Sequence, residues 1–231
     1  MEERLYPQCD KCSTRACFPV IKAGEKPSLE QTPPFCPMKL EAEVFERALS
    51  EYDKEEIREF ARLASIQEFQ CYEQTPQGLR TKIPRVEETV QFAHKNGYRR
   101  LGLAFCVGLA NEARILVSIL ERKGFEIVSV CCKTGAIPKE RIGVSPEEKI
   151  AGPRMYESMC NPITQAELLS KEKVDLALML GLCVGHDTLF LKYCKVPVTV
   201  LGVKDRVFGH NPIAALYMAN SYYSRLRAKS E

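Results

Sequence analysis

Eleven cysteines and three histidines carry most of the chemistry that these 231 residues offer. Four of the cysteines stand near the start as Cys9-x2-Cys12-x4-Cys17-x18-Cys36. The Cys9/Cys12 half has the form of a metal knuckle, and four thiolates suit either tetrahedral zinc or an iron–sulfur cluster. Cys36-Pro37 is like the Cys-Pro that closes ferredoxin-type cluster runs, which leans the reading toward iron. The full spacing matches neither signature, and a loosely packed arm with incidental thiols is the alternative.

A second group of thiols sits where apolar runs end. Leu101 to Phe105 is followed by Cys106-Val107-Gly108, and Leu178 to Leu182 by Cys183-Val184-Gly185. Cys131-Cys132 ends another apolar run, and Cys160 precedes Asn161-Pro162, a helix start. If those runs are neighbouring strands, Cys106, Cys132 (or its neighbour Cys131), Cys160 and Cys183 converge. Four such thiols can hold an iron–sulfur cluster or zinc, or act as a reactive dithiol. Cys160 just outside a helix N-terminus gains from the helix dipole as a thiolate. The bland alternative is that Cys106 and Cys183 are small residues tolerated in tight turns.

Polar residues follow the same strand ends. His186 and Asp187 form a candidate acid/base pair, or a plain N-cap turn. Lys204-Asp205-Arg206 precedes Gly209-His210-Asn211-Pro212. Lys204 and Arg206 are candidates for binding an anionic substrate, and His210 for proton transfer. A solvated charged turn is the competing reading. Gly108 and Gly185 lie where backbone N–H groups can cradle a phosphate or carboxylate, but neither place carries a full Gly-x-Gly-x-x-Gly. His94, near a helix C-terminus, reads as a surface or capping residue.

The elements that must position these groups follow from periodicity. Residues 40–73 read as two helices, the first with Ala42, Phe45, Ala48 and Leu49 on one face. The second is capped by Asp53 with Glu56, and Cys71 lies at its end, as a small buried residue or as a thiol reaching the same site as the strand-end cysteines. Gln74 to Lys82 reads as a polar loop, and Pro84 opens a helix that ends before Gly97. From Arg99 strands and helices alternate: strands at 100–105, 125–130, 174–182 and 197–203, and helices at 111–123, 163–169 and 189–193. A final helix is capped by Asn211, with Ile213, Leu216, Tyr217 and Tyr223 offered to the core. The irregular stretch from Lys133 to Cys160 leaves a strand's C-terminal end and reads as a lid or site wall. The expected fold is α/β: a doubly wound parallel sheet of about four strands in the order 2-1-3-4, with helices on both faces. Residues 1–39 form a Cys-rich metal-binding segment, and 40–231 an α/β Rossmann-like domain with N-terminal helices.

Composition excludes several functions. A balance of 33 basic against 30 acidic residues, with no basic block, argues against nucleic-acid binding. No apolar run approaches 18 residues and Met1-Glu2-Glu3-Arg4 is not a secretory leader, so no membrane span and a cytoplasmic location are expected. So many thiols in a reducing compartment point to metal or thiol chemistry rather than a disulfide framework.

The four-Cys pattern, Cys160-Asn161-Pro162, the run from Gly181 to Asp187, and the run from Lys204 to Pro212 together resemble a bacterial and archaeal family of unknown function. Its members carry the label of Cys-rich metal-binding proteins. The resemblance covers most of the chain and implies metal binding, with no established activity. Three functions fit. The first is a metal- or iron–sulfur-dependent enzyme acting on a small anionic or sulfur-containing molecule, with a second metal or cluster in the crevice. The second is a redox module serving a partner protein. The third is a small-molecule sensor with a structural zinc. Whether the chain forms a homo-oligomer is open at this level.

Overall fold

The computed structural model describes residues 5–229; the start at Met1 to Arg4, on which the expectation about a leader rests, lies outside the described residues. The chain divides into two compact units between Ile66 and Gln67.

The first unit opens with loops around Cys9, Cys12, Cys17 and Cys36, broken by one 3-10 turn at Cys9–Lys11. Three helices follow: α1 (Pro37–Leu40), α2 (Ala42–Tyr52) and α3 (Glu55–Gln70), the last crossing the division. Pro37 takes the first position of α1, where its missing N–H costs nothing. Two expectations change here. Asp53 has helical dihedrals and closes α2 instead of capping α3. The apolar face of α2 is exposed, Phe45 and Leu49 included.

In the second unit the expected loop at 74–82 is a hairpin, β1 (Tyr72–Thr75) with β2 (Gly78–Thr81). Every residue of β2 is exposed, so no hydrophobic alternation marks it. Its turn is set by Thr75, whose hydroxyl donates to the Gly78 carbonyl at 2.7 Å. α4 (Arg85–Lys95) comes next, with Val90 and Ala93 inward.

The core is a four-stranded parallel sheet made by β3 (Arg100–Phe105), β4 (Glu126–Cys131), β5 (Leu176–Leu182) and β6 (Val198–Val203). The order is β4-β3-β5-β6, which is the order 2-1-3-4 when the sheet strands are numbered alone. β3 beyond Arg100 and the whole of β5 are apolar because each is covered on both faces. One face packs on α4 and on α5 (Ala110–Arg122) through Val90, Ala93, Ala113, Leu116 and Leu120. The other packs on α6 (Pro162–Lys171) and α7 (His186–Tyr193) through Ala166, Leu169 and Phe190. Gly102 permits the close approach of α6: a Cβ there would stand 3.0 Å from Leu169 and from Val174. The start of β3 is pinned by the Asp175 carboxylate, which accepts the N–H groups of Arg99 and Arg100 at 2.8 and 2.9 Å.

The stretch from 133 to 160 is built rather than loose. Pro138 bridges to Ser158, and Lys139 pairs with Glu157 at 2.7 Å. Lys149 is nearly buried. Its ammonium meets Glu140 at 2.7 Å and the Met155 carbonyl at 2.8 Å. The last helix departs most from expectation. α8 spans only Ile213–Tyr217, and Ile213, Leu216 and Tyr217 are exposed. Asn220 and Ser221, whose side chains compete for backbone groups, follow it closely. Among the described residues no helix is long and apolar enough to cross a membrane.

Candidate functional site: a row of thiols at the sheet edge

The strand order makes β3 and β5 neighbours, and the helices that follow them, α5 and α7, go to opposite faces. Ligands of open α/β sheets bind beyond the strand C-termini at such a switch. Cys106 directly follows β3, Cys132 directly follows β4, and Cys160 lies two residues before α6.

The chain brings these three together through its backbone. The Cys106 N–H donates to the Leu180 carbonyl of β5 at 3.1 Å, and the Cys132 N–H to the Phe105 carbonyl of β3 at 2.9 Å. The Asn161 N–H donates to the Cys132 carbonyl at 2.7 Å, so residues 160–161 run beside Cys132. Asn161 also caps α6, its side chain accepting the Thr164 N–H at 3.2 Å. The expected cap with Pro162 in the first turn is therefore present.

The side chains form a row, Cys106–Cys132–Cys160–His186. The Cys132 thiol, 2 % exposed, stands between the other two sulfurs and also accepts the Val107 N–H at 3.3 Å. Its neighbours Cys106 and Cys160, together with burial, push the Cys132 thiol far up, so it stays protonated. The outer thiols move the other way. Hydrogen bonding from Cys132 lowers Cys106, and the Gly108 N–H and the Lys204 ammonium add to this against burial. Hydrogen bonding from Cys132 and then from His186 lowers Cys160, with Lys133 contributing. His186 is correspondingly raised, chiefly by Cys160. Along the row the shifts run down at Cys106, up at Cys132, down at Cys160 and up at His186. Gly108 leaves room for the cation at one end: a Cβ there would stand 3.1 Å from Lys204 Nζ. The His186 Nδ1 is buried and, among the described residues, has no hydrogen-bond partner.

Other expected site residues lie elsewhere around the edge. Cys183 Sγ accepts from Arg206 Nη2 at 3.1 Å. Asp187 turns back on its own helix, accepting the Thr188 N–H. Asp205 accepts the N–H groups of Val207 and Phe208, and its own N–H donates to His210 Nδ1 at 3.2 Å. That bond fixes the His210 tautomer with Nε2 as the donor. His210 has φ +68 and faces a largely apolar cavity of about 400 Å³ shared with Leu109, Glu112, Ile115 and Leu201. Cys71, with its thiol bonded to the Gln67 carbonyl, is pushed up by burial. His94 stacks on Phe125 at 4.4 Å.

Gln165 and Lys133 were not expected. Gln165 is fully buried on α6, and its amide donates to the carbonyls of Phe105 at 3.2 Å and Val130 at 2.7 Å. It therefore clamps the ends of β3 and β4, from which Cys106 and Cys132 emerge. A signal for it exists in the sequence: Pro162, Gln165, Ala166 and Leu169 share the inward helical spacing, and Gln165 is the polar member.

In the first unit Cys9, Cys12, Cys17 and Cys36 all line one cavity of about 70 Å³. Cys12 is held below the ordinary thiol range, first by the Thr14 hydroxyl. Among the described residues no three His, Cys, Asp or Glu side chains already stand at metal-ligand spacing.

Two comparisons with known proteins bear on the chain. It is 41 % identical over 181 residues to the uncharacterized protein MJ0455 of Methanocaldococcus jannaschii, covering 78 % of this chain and 86 % of the relative. The model of a protein family of unknown function, DUF1847, matches residues 36–201, a span that takes in Cys36 and the whole thiol row. Three thiols and an imidazole at the edge of a parallel sheet are thus part of what that model covers, and the chain belongs to the DUF1847 family.

Proposed function

We propose that the protein is a thiol-dependent enzyme acting on a small anionic or sulfur-containing molecule at the C-terminal edge of the sheet, and that its N-terminal cysteines hold a soft metal. The observation that carries the first part is the row Cys106–Cys132–Cys160–His186. The thiolate is the reactive form of cysteine. Here two thiols are biased toward it by a shared neighbour and by nearby cations. Lys204 and Lys133 at the two ends favour an anionic ligand. Arg206 beside Cys183 adds a third cation at the same edge.

The same sulfurs have the chemistry to hold iron or zinc. They also stand in a row in which each adjoins the next, an order that suits thiol exchange. The N-terminal set is different. Four cysteines from one loop region line a single small cavity. Soft thiolate donors in that number fit zinc or an iron–sulfur cluster. Cys9 and Cys17 are exposed, so the loops can close around an ion. When bound, the metal would cross-link a segment that buries almost nothing else.

Iodoacetamide at pH 6.5 with peptide mapping tests the thiol centre. Cys160 should alkylate at least about tenfold faster than Cys71, whose thiol is pushed up by burial. Equal rates would remove the proposal. Metal analysis after anaerobic purification tests the second part: metal should accompany the wild type and be lost when Cys9 and Cys12 are both changed to Ser.

A further inference from the structure

The thiol reading leaves open which bond is attacked, and the order of groups in the row answers it. We infer that the site cleaves the sulfur–sulfur bond of a small anionic molecule, with Cys160 attacking, Cys132 resolving, and Cys106 taking the proton that Cys132 gives up. This rests on the thiol-centre reading above and assigns one role to each member.

The geometry separates the roles. Cys160 is partly exposed, precedes the N-terminus of α6 and adjoins His186, so an incoming molecule meets it before the buried Cys132. Cys132 is buried behind it, 2 % exposed. Its backbone is tied to residue 161 by the 2.7 Å bond from Asn161, so Cys132 and Cys160 are held side by side. Cys106 touches Cys132 from the opposite side and has Lys204 next to it. A thiol set between two other sulfurs can pass its proton to one and form a bond to the other.

The step balances in two halves. The Cys160 thiolate attacks one sulfur of R–S–S–R′; a Cys160–S–S–R bond forms, the S–S bond of the substrate breaks, and R′–S⁻ leaves, taking a proton from the His186 imidazolium where it is basic enough. Cys132 then passes its proton to the Cys106 thiolate and attacks Cys160 Sγ. A Cys132–Cys160 disulfide forms and R–S⁻ leaves. The substrate gains two electrons and the two cysteines lose them. Lys133 and Lys204 flank the row, which selects anionic over cationic substrates.

Tetrathionate tests this in a single turnover, since it is a small dianion with S–S bonds and leaves as two thiosulfates. The reduced full-length chain, carrying Cys131→Ser so that one thiol remains in the tryptic peptide 124–133, is mixed with tetrathionate anaerobically and digested. The expected product links peptide 124–133 to peptide 155–171 through Cys132 and Cys160. In Cys132→Ser the thiosulfate adduct on Cys160 should accumulate instead. In Cys106→Ser the same disulfide should form at least tenfold more slowly, and cystamine, a cationic disulfide, should react at least tenfold more slowly than tetrathionate with the parent chain. Circular dichroism checks that each variant is folded. A persistent Cys160 adduct in the parent chain, or a disulfide from Cys160 to any other cysteine, overturns the assignment while fast alkylation of Cys160 leaves the thiol centre standing. If Cys160 reacts with neither iodoacetamide nor tetrathionate, both fall.

Discussion

Replacing Gly181 by Ala should cost much more than its backbone conformation alone demands. Gly181 has φ +67, where an L-residue pays roughly 1–2 kcal/mol. It also lies under Leu109: a Cβ at 181 would stand 1.9 Å from Leu109 Cδ1. Leu109 is itself 4 % exposed and packs among Cys106, Ala104 and Met179, so it can yield only by turning its side chain toward the apolar cavity that it lines. Overpacking of that kind costs about 1–3 kcal/mol. The sum is about 2–5 kcal/mol, or roughly 4–20 °C in Tm at about 2–4 °C per kcal/mol for a chain of this size. Gly97 supplies the control, with φ +68 and nothing within 4 Å of its would-be Cβ. Gly97→Ala should therefore lose only the conformational part, about 1–2 kcal/mol. Urea unfolding followed by far-UV circular dichroism measures both, and the difference between the variants isolates the clash. A second readout follows from the Leu109 N–H, which donates to the Cys106 carbonyl at 2.8 Å. Pushing Leu109 away moves the Cys106 turn, so alkylation of Cys106 should change in Gly181→Ala and not in Gly97→Ala. Equal stability losses in the two variants would refute the reasoning.

Two further predictions concern the row. Gln165→Met removes two hydrogen bonds but also a buried oxygen that lacks a partner among the described residues. These effects oppose, so stability should change by less than about 2 kcal/mol, while Cys132, no longer held by the clamp, should alkylate several-fold faster; unchanged alkylation in a folded variant would show that Gln165 does not position it. His186 has a folded pKa raised above 6.5, chiefly by Cys160, so its contribution to stability is full below 6.5 and is lost as pH rises through the raised value. The stability gap between wild type and His186→Asn, from urea unfolding at several pH values, should then be widest near pH 6 and narrow toward pH 9; a gap that widens with pH would contradict the Cys160–His186 pairing.

The sheet was legible because its physics is one-dimensional. Runs such as Leu101 to Phe105 and Leu176 to Leu182 are apolar throughout, which only strands covered on both faces need to be. Glycines 97 and 124 punctuate helix ends, and the Asn161-Pro162 pair announces α6. Once strands alternate with helices, right-handed crossovers leave few arrangements, and the order 2-1-3-4 is one of them. The hairpin Tyr72–Thr81 was not legible, because a solvated ribbon has no buried face to impose a period. The C-terminal helix misled for the opposite reason. Ile213, Leu216 and Tyr217 do fall at helical spacing, yet the structure leaves them exposed.

The candidate site was legible only as a set of strand ends. Apolar runs that stop at Cys106, Cys132 and Cys183 put thiols at one edge, but the edge is wide, and its far side is decided by backbone detail. At Gly181 the positive φ interrupts the regular pairing of β5 with β6, and Cys183 emerges facing Arg206. The choice between Cys131 and Cys132 shows the same limit: adjacent residues at a strand end point to opposite sides, and only Cys132 turns into the row, leaving Cys131 partly exposed. What binds the row together also came from outside the cysteines. Gln165, on a helix that starts beyond the long connection, reaches Phe105 and Val130 across separations of 60 and 35 residues. A thiol's reactivity depends on which neighbours share its proton. Those neighbours are chosen by the clamp and by the turn at residue 161, so the chemistry of Cys160 is set by residues that carry none themselves.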